Sequence, residues 1–179
     1  MPNSEERARF EQVVLPHLHA AHNLARWLVR REQDAEDVVQ EAFLRAYRFF
    51  SGFHGGDARA WLLQIVRNTS YTWLQQNRPQ ESAAEFDEEM HSDTQIPVNP
   101  ETLAMESANR ERLHRALEEL PPNFREVLVL RELEGCSYKE IAEITGIPIG
   151  TVMSSLSRAR RRLAQVLGSE PKQEAAHGS

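Results

Sequence analysis

The stretch Cys136–Leu163, CSYKEIAEITGIPIGTVMSSLSRARRRL, decides how this chain is read. Two short helical patterns meet in it at Thr145-Gly146-Ile147-Pro148. Ser137 through Glu140 has the form of a capping box, with Ser137 as the cap and Glu140 able to reach back. Ile141, Ala142 and Ile144 give the first helix an apolar face. Gly146 is free to take a positive φ in the turn, and Pro148 opens the second helix. There Val152, Leu156, Ala159, Leu163 and Val166 fall on one stripe at helical spacing. The stripe leaves Gly150, Thr151, Ser154, Ser155, Arg158, Arg161 and Arg162 on the outer surface. Small polar residues at the helix start allow close approach to base edges, and arginines further on hold phosphates. The pattern predicts a helix-turn-helix, against the plainer alternative of an amphipathic hairpin with a solvated basic face.

The whole-chain charge points the other way. The 179 residues carry a net charge of −6, an unfavourable balance for binding nucleic acid. The acidity is local, however. Residues 80–108 hold 8 acidic side chains and no Lys or Arg. Residues 1–79 hold 10 basic and 9 acidic side chains, and residues 109–167 hold 10 and 8. The acidic stretch also lacks periodicity and large apolar residues, so 80–99 is expected to be a flexible linker. It closes on Asn99-Pro100-Glu101, with Asn99 as N-cap and Pro100 as the first helical residue. The pieces flanking it read as helices, near 4–31, 35–50 and 58–76, then near 100–119, 123–134, 137–145 and 149–167. The predicted architecture is all-α: two small helical domains, 1–79 and 100–167, and a disordered tail over 168–179.

Other classes are disfavoured. No apolar run reaches the roughly 18 residues of a membrane span, and no signal peptide opens the chain. A single cysteine, Cys136, rules out an internal disulfide and fits a cytoplasmic location. His17, His19 and His22 cluster, but no acidic or cysteine partner sits at ligand spacing along the chain, so no metal site is expected. No nucleophile–base pair or phosphate loop stands out, so neither catalysis nor a cofactor is expected.

The first piece holds two further blocks. In DAEDVVQEAFLRAY, residues 34–47, Asp34 is placed to cap a helix. Asp37, Gln40 and Glu41 share a polar ridge, which spacing alone would leave as a solvated face. Next, Phe49, Phe50, Phe53, Trp61, Tyr71 and Trp73 interleave with Arg59, Arg67 and Asn68 around a loop at His54-Gly55-Gly56-Asp57, with Asp57 as a helix cap. Aromatics stack on unpaired bases and arginines track a backbone, but the same aromatics also suit the core of a small helical domain.

Together DAEDVVQEAFLRAY, FHGGDARAWLLQIVRN and LPPNFREVLVLRELEGCSYKEIAEITGIPIGTVMSSLSRARRRL resemble the extracytoplasmic-function (group IV) sigma factors of bacterial RNA polymerase. The likeness covers roughly residues 10–78 and 100–167. It implies a promoter-specificity subunit. Asp37, Gln40 and Glu41 match the family's contact with the β′ clamp coiled coil of core polymerase. His54, Gly55, Gly56, Asp57, Arg59, Gln64, Arg67 and Asn68 match its minus-ten reader, where a base is flipped out at the cost of unstacking. Lys139, Gly150, Thr151, Ser154, Ser155, Arg158, Arg161 and Arg162 match its minus-thirty-five reader. The resemblance further implies the β flap and an anti-sigma factor as partners. Met153, Ser155 and Ser157 depart from the pattern, standing where the family usually has basic or aromatic residues. The rival expectation is a stand-alone regulator that binds duplex DNA by its helix-turn-helix.

Overall fold

The computed structural model describes residues 3–81 and 100–169, and no strand occurs among them. The chain begins with α1 (Ser4–Val14), capped by Asn3, whose Oδ1 accepts the Glu6 amide at 2.9 Å. The single helix expected over 4–31 is broken. Pro16 has no amide proton to continue the ladder, and Leu15–His17 form a 3-10 turn before α2 (Leu18–Val29). Helix α2 stops at Arg30, which adopts a positive φ of 70° and turns the chain back. Helix α3 (Glu32–Phe49) therefore starts earlier than expected. Its cap position is Arg31, without a side-chain bond, so Asp34 does not cap; it sits in the first turn and acts through the helix dipole. Asp57 does cap α4 (Ala58–Glu81), accepting the Ala60 amide at 3.0 Å. That helix runs past the expected end at 76.

The second half opens with α5 (Pro100–Glu118), which has Pro100 as its first residue. Helix α6 (Pro122–Leu128) runs into a π-helical turn over Val129–Leu133, and Gly135 leaves it at φ 64°. Helix α7 (Tyr138–Thr145) carries the expected capping box: the Glu140 amide donates to Ser137 Oγ, and the Ser137 amide to Glu140, both at 3.0 Å. Gly146, at φ 74°, ends α7 in a left-handed cap that a side chain would strain. Helix α8 (Ile149–Ser169) completes the helix-turn-helix. The Asn99 cap and nearly all of the linker and tail lie outside the described residues.

Spacing explains the core. Helix α3 buries Ala35, Val38, Val39, Ala42 and Ala46, one stripe at three- and four-residue steps. Helix α2 buries Ala20, Ala21, Leu24, Ala25 and Leu28 against it. The alanines let α2, α3 and α4 approach closely, and Leu24, Leu28, Leu62, Leu63 and Val66 fill the space between. Thr69 and Ser70 are buried on α4, and their hydroxyls donate to the Ile65 and Val66 carbonyls, so neither is left unpaired. In the second half Ile141, Ile144, Val152, Leu156 and Ala159 are buried together. The two halves pack on each other, α4 against α7 and α2 against α6. No helix among the described residues is long and apolar enough to cross a membrane.

Leu62 has no exposed surface and lies on α4, which packs against α2 and α3. Leu62→Ala is expected to cost about 2–5 kcal/mol, the usual cost of a cavity in a packed core. Urea unfolding followed by circular dichroism checks this.

Candidate functional site

The sequence-predicted residues form three surfaces. The first is the outward ridge of α3. Asp37, Gln40 and Glu41 are all exposed, while Val38, Val39 and Ala42 between them face inward. Glu41 pairs with Arg45 at 2.7 Å, one turn on. Gln40 borders a surface hollow between α2 and α3 that also holds Leu15, Leu18 and Phe43. Leu15, Leu18 and Leu44 are exposed apolar residues nearby. The ridge thus joins acidic and amide groups to an apolar edge.

The second surface is the loop and first turns of α4. Gly55 and Gly56 have φ values of 101° and 97°, which side-chain-bearing residues rarely adopt. They join α4 to a packed aromatic cluster that precedes it in the chain. Phe53 lies 5.0 Å from Trp61 and 6.0 Å from Phe50, centroid to centroid. Phe50 in turn meets Phe10 edge-on at 5.3 Å. These aromatics are therefore core, with Phe53 buried and Trp61 half-buried. His54, Gly55, Gly56, Asp57, Gln64 and Asn68 are exposed.

Arg59 and Arg67 are placed differently. Both are engaged with the other half of the chain. Arg59 donates to the Glu134 carbonyl and to Glu140 Oε2, each at 2.9 Å. Arg67 Nε donates to both oxygens of Glu126 at 3.2 Å, and its guanidinium lies over the Tyr71 ring at 4.5 Å. Nearby, Asn23 donates to Glu134, and Arg125 donates to the Trp27 carbonyl at 2.6 Å. Trp27 packs on His114 with ring centroids 4.4 Å apart, and Arg30 donates to the Glu118 carbonyl. This clasp holds the two halves together. Its acceptors Glu126, Glu134 and Glu140 were missed in the sequence, because nothing along the chain pairs them with residues some 60–80 positions away.

The clasp has its own electrostatics. The Glu126 side chain is only 3% exposed, and burial raises its carboxyl above the ordinary value despite Arg67 beside it. Burial, with Glu126 adjacent, also pushes the Tyr71 phenol upward. Partial burial pulls Glu140 the same way, but the Ser137 amide and Arg59 outweigh it and hold that carboxyl well below the usual range. Burial pushes the Cys136 thiol up to about 11, which leaves it unreactive.

The third surface is the outer face of α8. Val152, Leu156 and Ala159 are buried as the stripe required. Lys139, Gly150, Thr151, Ser154, Arg158, Arg161 and Arg162 are exposed, and Ser155 is half-buried. Arg160 points elsewhere and pairs with Glu132 at 2.9 Å. Helix α7 takes the contact with α4, so this face stays open.

Comparison with known proteins agrees with this geometry. Residues 13–80 match the family model "Sigma-70 region 2", and residues 110–163 match "Sigma-70, region 4". The RNA polymerase sigma-H factor of Pseudomonas aeruginosa is 35% identical over 170 residues, covering 90% of this chain and 88% of that protein. The ECF RNA polymerase sigma-E factor of Escherichia coli K12 is 36% identical over 165 residues, covering 88% and 86%. Among solved structures, the sigma factor RpoE in complex with the anti-sigma factor NepR from Bartonella quintana superposes with a TM-score of 0.70 at 30% identity. That match covers 91% of this chain and 99% of RpoE. CnrH, in complex with the cytosolic domain of CnrY, superposes at 0.64 with 25% identity, covering 92% and 91%.

The Arg67–Glu126 pair yields a pH-dependent expectation. A carboxyl whose folded-state pKa is raised favours folding fully below its unfolded value and loses that contribution as pH rises through the folded value. Arg67 opposes the rise. Arg67→Ala should therefore cost little near pH 4.5 and about 3 kcal/mol at pH 7, where a buried carboxylate is left unpaired. Glu126→Gln should cost under about 1 kcal/mol at pH 7, because Arg67 is partly exposed and can turn to water. Urea titrations at both pH values separate the two variants.

Proposed function

The chain belongs to the sigma-70 family, as an extracytoplasmic-function sigma factor, and we propose a division of labour among its three surfaces. Members of this family are transcription initiation factors of bacterial RNA polymerase rather than enzymes. The rival of a stand-alone duplex-binding regulator is set aside by the match to both sigma regions in order.

On the proposed reading, Asp37, Gln40 and Glu41 dock on the β′ clamp coiled coil of core polymerase, and the helix-turn-helix sits near the β flap. The exposed loop His54–Asp57, with Arg59, Gln64, Arg67 and Asn68, reads and opens the minus-ten element. The face of Lys139, Gly150, Thr151, Ser154, Ser155, Arg158, Arg161 and Arg162 reads the minus-thirty-five element. Residues 1–79 and 100–167 are the corresponding domains, and the acidic stretch between them is the linker. The observation that carries this reading is the exposure pattern. The ridge of α3 and the outer face of α8 are each presented to solvent on different elements, as a protein that engages polymerase and DNA at once requires. An anti-sigma factor is a further partner, supported by the two complexes of similar sigma factors.

The mechanism follows from donors and charge. Asn68, about three turns into α4, offers an exposed amide that both donates and accepts, which suits a flipped base. Extruding the base costs a few kcal/mol of unstacking, offset by contacts in the loop and α4. Arg59 and Arg67 reach DNA only after they leave Glu140, Glu134 and Glu126, so promoter engagement separates α4 from α6 and α7.

Run-off transcription with core polymerase on the promoter region upstream of this gene tests the reading. Specific transcripts should require the protein. The Asp37→Ala/Gln40→Ala/Glu41→Ala variant should lose transcript and core binding together, by tenfold or more. Asn68→Ala should keep core binding and lose open complexes, read by permanganate footprinting. Full transcription from the triple variant would refute the assignment of the ridge.

A further inference from the structure

The turn at Arg30 folds α3 back along α2, and this creates a neighbourhood absent from the linear sequence. His22 comes to face Glu32 and Glu36, which lie one turn apart on the same side of α3. One imidazole nitrogen and one oxygen from each carboxylate all lie within 4.8 Å of one another. His22 is half-buried, and the glutamates are exposed and free to adjust. Among the described residues Glu36 has no ion-pair partner, and Glu32 has only Arg26 at 3.6 Å. Two carboxylates at this spacing repel each other unless a cation lies between them.

A second feature adjoins the triad. His22 and Glu36 also form the polar wall of the hollow of about 650 Å³ between α2 and α3. His19 stands on the same wall one turn before His22, and Gln40 one turn after Glu36. His19 lines the hollow with its Nε2 3.4 Å from the Asn23 amide, over an apolar floor that includes Leu18 and Phe43. Mixed nitrogen and oxygen donors favour zinc and its transition-metal neighbours, whereas magnesium and calcium prefer oxygen alone. Zinc would need each donor at about 2.0–2.2 Å, which requires small rotamer changes in the glutamates. It would also take Glu32 from Arg26, a pair weakened by the glutamate's exposure to solvent.

We propose that His22, Glu32 and Glu36 form a zinc-class divalent-cation site whose occupancy weakens docking at the adjoining ridge. The second half rests on the polymerase-docking reading of Asp37, Gln40 and Glu41. Asp37 follows Glu36 directly, and Gln40 shares the hollow with the metal ligands. A dication there offsets the acidity of the ridge and fixes side chains at its edge. The coupling is reciprocal, so polymerase would lower zinc affinity by the same factor.

The test is isothermal titration of the full chain with zinc chloride, and separately with magnesium chloride. One equivalent of zinc should bind, and magnesium at least a hundredfold more weakly. His22→Gln and Glu36→Gln should each weaken zinc binding at least tenfold with unchanged melting temperatures in chelator. His177→Gln, in the tail, should have no effect. Equal binding of magnesium, no saturable binding, or binding lost only with His177 would overturn the site. Zinc should also weaken core polymerase binding at least threefold for the natural chain and not for His22→Gln. Zinc bound without that change would overturn the coupling alone. The triple ridge variant should lose core polymerase and keep zinc. Retention of core binding by that variant would overturn the docking reading and leave the metal site standing.

Discussion

The arrangement of this chain depends on the buried carboxylate of Glu126 and the guanidinium that answers it. A carboxylate taken from water costs several kcal/mol unless it is paired. Glu126 lies on α6, and Arg67 comes from α4 in the other half of the chain. The pair therefore sets the register of one half on the other more than it adds net stability. Arg125 works in the same direction, joining the Trp27 carbonyl on α2 to the Leu120 carbonyl before α6. Apolar contact alone would let α6 slide along α2 and α4, because hydrophobic attraction is not directional. The polar contacts select one position.

That choice has a functional side. The clasp uses two of the arginines assigned to the minus-ten element, and its acceptors are carboxylates. A carboxylate and a phosphate make the same demand on a guanidinium, a planar fork of donors facing paired oxygens. On the proposed reading, Glu126 and Glu140 compete with DNA for these two guanidinium groups. The face of α8 has no such competitor, since α7 lies between it and α4. In this arrangement the outer face of α8 is exposed, while Arg59 and Arg67 are engaged within the chain. On the same reading, opening would exchange two charge-assisted contacts within the chain for contacts with DNA, at a net cost smaller than the clasp's own strength.

Much of this was legible from local rules. The capping box at Ser137, the turn at Gly146 and the stripe from Val152 to Ala159 depend on residues a few positions apart, and all appear as expected. The Asp57 cap and the core role of Trp61 were readable for the same reason. Errors arose where a local rule was overruled. The apolar period ran through Pro16 and suggested one helix, but the missing amide breaks it. Asp34 looked like a cap, yet the reversal at Arg30 starts α3 earlier, which moves Asp34 into the first turn. The contacts of Arg59 with Glu140 and of His22 with Glu36 had no local signal. They exist only because helices distant in sequence, or reversed by one strained residue, come to lie side by side.

The outer face of α8 gives the departures from the family pattern a physical meaning. Met153 is 53% exposed and Ile149 46%, so the start of α8 presents apolar groups beside Thr151 and Ser154. The exposed arginines begin at Arg158, more than a turn further on, and Arg160 is drawn away by Glu132. Charge is therefore concentrated at one end of the face and apolar contact at the other. Phosphate contacts set affinity and its salt dependence, whereas apolar side chains distinguish the thymine methyl from the other groove edges. A face built this way relies less on the backbone and more on close fit at a few bases. On the proposed reading, it would hold the upstream element only when polymerase presents both elements together.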